Sequence, residues 1–404
     1  MIKRKMYMSR IRPFIGKELI KVITGIRRAG KSVMLELIKE ELLASGVSRS
    51  RFISINFEDM RYAHLLNAVT LHAEILRQAE GLDGKVYLFF DEIQEVTNWE
   101  KCINSFRVAL DCDIYITGSN AKLLSGELAT CLGGRYVEFV IYPFSFGEFL
   151  ELYRTVDASA SVQQCFQKFL LTGGMPYLAN LQYEDAPSRQ YLTDLFNSIQ
   201  LKDVVKRNKI RDVDLLERII AYVMANVGTT FSATSLVKFF RNEHRTVATD
   251  TILNYIRYCC DAYFFYQVRR EDLHGKQILA SNEKYYIADH GIREAVYGGN
   301  MRDISLTLEN IVHMELLRRG YTATVGRMGE KEIDFVCSRR GEKLYVQVAY
   351  LLADENTVRR EFDVYNAVKD NFPKYVVTMD EIDMSRNGIK HHNIRDFLTA
   401  SEWN

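Results

Sequence analysis

Short apolar runs alternate with amphipathic stretches along the first third of the chain. Residues 19–24 (LIKVIT) form an apolar run of strand length that leads into GIRRAGKS at residues 25–32. The segment behind it, SVMLELIKEELL, sets Leu35, Ile38 and Leu42 on one face of a helix. Residues 51–57 (RFISINF) and 86–90 (VYLFF) read as further strands; the second is apolar throughout, as a central strand buried on both faces requires. Trp99, Ile103, Phe106 and Leu110 recur at helical spacing as plain core, and residues 113–117 (DIYIT) and 136–141 return to strand. Strand and helix in alternation predict an α/β module with a parallel sheet over residues 1–150.

The junction after the first strand carries chemistry. Gly25-x-x-x-x-Gly30-Lys31-Ser32 lies between a strand and a helix, the context in which this spacing cradles phosphates. The two glycines let the main chain curl closely, and the helix N-terminus favours an anion. Gly25, Ile26, Arg27, Arg28, Ala29, Gly30, Lys31, Ser32 and Val33 are therefore the expected ATP-binding residues. Lys31 reaches the β- and γ-phosphates, and Ser32 offers its hydroxyl to Mg²⁺. The VYLFF run ends in Asp91-Glu92. Asp91 is the expected Mg²⁺ carboxylate and Glu92 the residue that polarises the attacking water.

Two further positions remain open between a catalytic and a local role. Ser119 or Asn120, at the end of the DIYIT strand, either senses the γ-phosphate or caps a turn. Arg135, after Gly133-Gly134, either stabilises transition-state charge, in its own site or a neighbour's, or holds a Gly-rich turn.

GIRRAGKS, the apolar run into DEIQEV, ITGSNAKLLSGELATCLGGRY and YPFSFGEFL together resemble a prokaryotic family of AAA+-superfamily ATPases with a C-terminal domain of unknown function. The resemblance runs over nearly the whole chain. It implies AAA-type strand order in the core and a helical lid beside the nucleotide over residues 151–214. Residues 160–205 are helical in pattern, with Phe166, Phe169 and Leu170 on one face and a break at Gly173-Gly174-Met175-Pro176.

Residues 215–227, 234–240 and 249–259 then read as three helices, and residues 263–269 (YFFYQVR) and 283–288 (EKYYIA) as a hairpin whose loop contains Gly275. That order is the one of a winged helix, expected over 215–298. Lys238, Arg241, Arg245, Arg257, Arg269 and Arg270 supply positive charge for DNA, diluted by Glu243, Asp250 and Asp261; winged helices also serve as protein-contact modules.

From 299 to 404 the pattern is a helix at 306–318, ended by Gly320, followed by strands at 321–326, 332–337, 344–349 and 374–379. This arrangement resembles the PD-(D/E)xK nuclease-like fold. The resemblance implies a metal site at Glu309, Asp334 and Gln347, with Gln347 in a carboxylate's place and Ala349 in the lysine's. A nuclease without that ammonium lacks a cation beside the reacting phosphate. A decayed, binding-only domain also fits. His391-His392 are expected on a solvent-facing loop.

Composition narrows the field. With 404 residues, 47% hydrophobic and 26% charged, the chain is an ordinary globular protein of two or three domains. A net charge of +1 leaves nucleic-acid contact to a local patch. Seven cysteines, at 102, 112, 131, 165, 259, 260 and 337, form no C-x-x-C pair and read as reduced, mostly buried thiols of a cytoplasmic protein. MIKRKMYMSRIRPF lacks the apolar stretch of a secretory signal, and no run approaches the roughly 18 residues of a membrane span. The readings converge on a Mg²⁺-dependent ATPase: a switch or motor on nucleic acid, alternatively on a protein partner. An ATP-gated nuclease is opposed by Ala349. Oligomeric state stays open.

Overall fold

The computed structural model describes residues 2–121, 133–273, 277–329 and 331–403, with backbone only at 277–282. Cys131 and Gly275 lie outside the described residues, as does most of the LLSGELATCLGG segment. The chain divides into two compact units, Met1–Tyr142 with Asp261–Tyr263, and Pro143–Cys260 with Phe264–Asn404.

The first unit is built on a five-stranded sheet of β1 (Ile20–Thr24), β2 (Phe52–Asn56), β3 (Val86–Asp91), β4 (Cys112–Gly118) and β5 (Tyr136–Val140). The spatial order is β2-β3-β4-β1-β5, and every pairing is parallel. Alternate residues point to opposite faces. On one face Ile20, Val22, Ile53, Leu88, Phe90, Ile114 and Ile116 share a core with Leu71 and Ile75 of helix Ala68–Ala79 and with Trp99, Ile103 and Phe106 of helix Trp99–Ala109. On the other face Phe89 stacks on Tyr115 at 4.9 Å, and Lys39 of helix Lys31–Ala44 lies over the Phe89 ring and bonds Ser54. The polar members of two apolar runs, Lys21 in β1 and Asp113 in β4, are fully buried and pair with each other. Asp113 also accepts from Gly16 N and Tyr115 OH, each at 2.7 Å.

The second unit opens with helices Phe146–Val156, Val162–Thr172 and Asp185–Ser198, gathered around the rings of Phe146, Phe149, Phe166, Phe169 and Tyr183. A π-helical stretch, Ile199–Lys206, follows. Three more helices come next, Val213–Ala225, Ala233–Asn242 and Thr249–Asp261, as the periodicity predicts.

The hairpin of β6 (Phe265–Asp272) and β7 (Gln277–Ile287) is antiparallel, but it does not stand alone as a wing. The far end of β6 pairs in parallel with β8 (Thr322–Met328), which satisfies an otherwise open edge. The hairpin is thereby part of a mixed seven-stranded sheet, β12-β11-β10-β9-β8-β6-β7, with β9 (Lys331–Arg339), β10 (Glu342–Val348), β11 (Lys374–Thr378) and β12 (Lys390–Asn393). Helix Ile304–Arg318 is buried along most of its length, Thr307 to Leu316 included, so its residues show little amphipathic contrast.

The histidine pair departs from expectation. His391 is buried in β12, its Nε2 2.8 Å from Thr378 Oγ1 while its Nδ1 accepts from Met384 N at 3.2 Å. Parallel pairing with β11 turns what reads as a polar loop into an edge strand. No helix among the described residues is long and apolar enough to cross a membrane.

Candidate nucleotide site

Because the sheet is parallel, the C-terminal ends of β1, β4 and β3 lie side by side at one edge. The GIRRAGKS loop leaves β1 at that edge. Gly25 has φ +136°, and a side chain there would put its Cβ 2.2 Å from Ile141 O; no residue with a Cβ fits. Gly30 opens helix Lys31–Ala44 with φ +100°. Ile26 and Ala29 are buried and anchor the loop, whereas Arg28, Ser32 and Val33 are exposed. Arg27 reaches Glu58 Oε1 at 3.4 Å.

Lys31 is buried, and two loop carbonyls and an acidic side chain are among its contacts. Its Nζ lies 3.2 Å from the carbonyl oxygens of Gly25 and Ile26 and 3.8 Å from Glu92 Oε1. Asp91 ends β3 and is held on several sides. Asn56 Nδ2 donates to its Oδ2 at 3.2 Å, and Thr117 and Ser32 donate to it as well. Burial lifts the Asp91 carboxyl above its ordinary range, and the Thr117 and Ser32 hydrogen bonds oppose that rise. Glu92 adopts a left-handed conformation, φ 54°. Its N–H donates to Thr117 Oγ1 at 2.9 Å, and its carboxylate accepts from Gln94 Nε2.

The structure thus brings Lys31, Ser32, Asp91 and Glu92 together. Ser119 and Asn120 are buried just beyond the end of β4. Arg135 falls elsewhere: it is exposed, it precedes β5, and its carbonyl accepts from Ile20 N at the start of β1. That is the opposite edge of a parallel sheet, about five strand residues or roughly 15 Å from the phosphate loop. An arginine side chain does not span that distance within the chain, so of the readings open for Arg135 a neighbour's site and a local role in the Gly-rich turn are left.

Two residues escaped the sequence reading. Thr117, the last polar side chain of an apolar strand, bonds both the Asp91 carboxylate and the Glu92 amide. A threonine ending the strand between the two motif strands was its signal. Arg4 is buried and donates to Ala29 O at 3.2 Å and Tyr142 O at 2.9 Å, bracing the loop from behind. Nothing in the local pattern announces it.

An oxygen donor set of a serine hydroxyl and a buried carboxylate suits Mg²⁺, which keeps waters for its remaining positions. Ser32 already bonds Asp91, so the two groups fit such an ion.

The second expected set does not fit one. Glu309 and Asp334 do converge, but on the ammonium of Lys284, 2.9 Å from Glu309 Oε1 and 3.7 Å from Asp334 Oδ1. The Gln347 side chain accepts from Asp334 N at 3.2 Å and donates to Glu361 Oε2 at 2.9 Å. Among the described residues no group of three or more His, Cys, Asp or Glu side chains is arranged to hold a metal ion.

Strand order, phosphate-type loop and terminal carboxylate pair define a P-loop ATPase of the AAA type. Residues 17–150 match the family described as AAA domain, and residues 163–303 match a domain of unknown function (DUF8612). The matched domain of unknown function covers the middle of the chain, where a lid and a winged helix were expected. Residues 304–404 lie outside both matches.

The chain belongs to the same family as an uncharacterized protein of Haemophilus influenzae, 38% identical over 94% of this chain and 93% of that protein. An uncharacterized protein of Methanocaldococcus jannaschii is 32% identical over 87% of this chain and 79% of its own length. Among solved structures, the Aeropyrum pernix Orc1 protein in complex with DNA aligns with TM-score 0.31 and 10% identity, over 72% of this chain and 91% of that one. AMPPCP-bound DnaA from Aquifex aeolicus aligns with TM-score 0.34 and 14% identity, over 63% and 87%. Likenesses of this size carry no argument about function.

Proposed function

We propose that the first unit binds ATP through residues 25–33 and hydrolyses it with Glu92 as the water-activating base. The observation that carries this reading is the convergence of Lys31, Ser32, Asp91 and Glu92 where β1 and β3 end, with the Lys31 Nζ 3.2 Å from two loop carbonyls and 3.8 Å from Glu92. Phosphate oxygens are stronger partners for an ammonium than main-chain carbonyls. A triphosphate entering the loop draws Lys31 outward and removes the cation nearest Glu92. Glu92 then accepts a proton from a water in line with the γ-phosphate. Thr117 holds the Glu92 main chain and the Asp91 carboxylate at fixed separation. Ser32 and Asp91 would hold a Mg²⁺ ion, which would neutralise charge on the phosphates.

Hydrolysis drives a switch or motor acting on nucleic acid. Exposed Lys238, Arg241, Arg257 and Arg269 support a nucleic-acid partner, as do exposed Lys202, Lys206, Lys209 and Arg211 earlier in the second unit. Arg245 and Arg270 are withdrawn from that set: Arg245 pairs with Asp212 and Asp214, and Arg270 with Glu332.

The test is ATP turnover measured with and without duplex DNA or RNA, alongside a salt titration of binding. Stimulated turnover and binding that weakens steeply with salt support the nucleic-acid reading. Turnover unchanged at saturating nucleic acid, with no salt-dependent binding, refutes it and leaves a protein partner.

A further inference from the structure

The acidic cluster of the seven-stranded sheet is closed in a way that its residue types alone do not reveal. Lys284, on β7, is 5% exposed. Its ammonium lies 2.9 Å from Glu309 Oε1 on helix Ile304–Arg318, 2.9 Å from Glu332 Oε1 and 3.7 Å from Asp334 Oδ1, both on β9.

Each carboxylate has a second partner. Tyr286 OH donates to Glu309 at 2.5 Å, Arg270 pairs with Glu332, and Val348 N donates to Asp334 Oδ2 at 2.8 Å. Gln347 is turned to the main chain of Asp334 and to Glu361, and Ala349 carries no charge.

We propose that Lys284 is the resident cation of this cluster: its ammonium stands where a divalent metal would sit, making the C-terminal sheet a metal-free scaffold rather than a nuclease centre. A Mg²⁺ or Mn²⁺ ion needs carboxylate oxygens at about 2.0–2.3 Å. An ion bridging Glu309 Oε1 and Asp334 Oδ1 would stand beside the Lys284 ammonium that already contacts both oxygens, and two cations in one buried niche repel strongly.

The ammonium is not a weak occupant that a metal displaces. Burial pulls the Lys284 basicity down, but Glu309, Asp334 and Glu332 more than reverse that and hold the lysine protonated. Burial and Glu309 push the Asp334 carboxyl up, and Lys284 opposes that rise. A lysine from the hairpin therefore supplies the positive charge that a metal ion would bring to these carboxylates. It also ties β7 to β9 and to helix Ile304–Arg318.

The test is Mn²⁺ binding followed by electron paramagnetic resonance on the full-length, nucleotide-free protein. Four forms are compared: wild type, Asp334→Asn, Lys284→Ala and the double variant. Wild type and Asp334→Asn bind the same amount. Lys284→Ala gains about one Mn²⁺ per chain, because Glu309 and Asp334 lose the ammonium between them, and the double variant loses it again. Wild-type binding that falls on Asp334→Asn overturns the proposal, and so does a folded Lys284→Ala that gains no Mn²⁺. Should Lys284→Ala fail to fold, the comparison of wild type with Asp334→Asn and Glu309→Gln decides alone.

Discussion

Lys31 in the first unit and Lys284 in the second are both buried ammonium groups beside acidic side chains. Their surroundings differ in kind. Lys31 lies 3.2 Å from two carbonyl oxygens of the glycine-bearing loop and 3.8 Å from Glu92, where an incoming phosphate meets it. Lys284 is ringed by Glu309, Glu332 and Asp334, which no incoming anion replaces. A lysine held by main-chain dipoles is ready for a ligand; one held by several carboxylates is part of the architecture. Residue type does not separate the two cases, but partner type does.

The comparison breaks if the two lysines respond alike to removal. Lys284→Met strips the cation from a buried carboxylate cluster and should cost about 3–5 kcal/mol in stability of the second unit. Lys31→Met should cost less than Lys284→Met, because main-chain carbonyls of the loop share Lys31 with Glu92. Chemical denaturation of both variants without divalent ions checks this pair.

Glu92→Gln keeps the shape of the first site and removes its base. Turnover should fall about 100-fold or more while ATP binding persists, measured by single-turnover hydrolysis. Unchanged turnover removes Glu92 from the reaction.

His313 sharpens the contrast through pH. It is buried between Tyr286 and Phe335 in the second unit, and burial lowers its pKa from 6.5 to about 3. Below pH 6.5 the unfolded chain takes up a proton there that the folded chain refuses. Its contribution is whole above pH 6.5 and is lost as pH falls toward 3, about 2 kcal/mol by pH 5. His313→Phe should flatten that part of the pH dependence of unfolding.

Thr117→Val removes the hydroxyl shared by Asp91 and Glu92 and should lower kcat about tenfold with little change in ATP affinity. The smallest effect belongs to Arg135→Ala. It lies at the far edge of the sheet, so turnover by a monomeric preparation should stay within about twofold. A larger loss, rescued by mixing with an inactive partner carrying Arg135, would show that the arginine acts between subunits.

The first unit was largely legible in the residues because its signals are local. A fully apolar strand such as VYLFF announces burial on both faces, and the glycine spacing of GIRRAGKS records a loop whose geometry excludes a Cβ at Gly25. Thr117 was missed because its importance comes from pairing between β3 and β4, not from its neighbours in sequence.

The second unit was less legible because long-range pairing decides it. The hairpin reads as a wing until β8 joins it, and His391 reads as loop until β12 pairs with β11. Lys284 sits in an ordinary-looking EKYYIA strand, 25 residues before Glu309, and only folding brings the two together.

The account stands on the claim that Lys31 leaves its loop carbonyls for a triphosphate. Isothermal titration of Mg·ATP into wild type and into Lys31→Ala tests it most directly. Stoichiometric binding to the wild type and a loss of at least about 100-fold in affinity in a folded Lys31→Ala are expected. Equal affinities in the two proteins would contradict it.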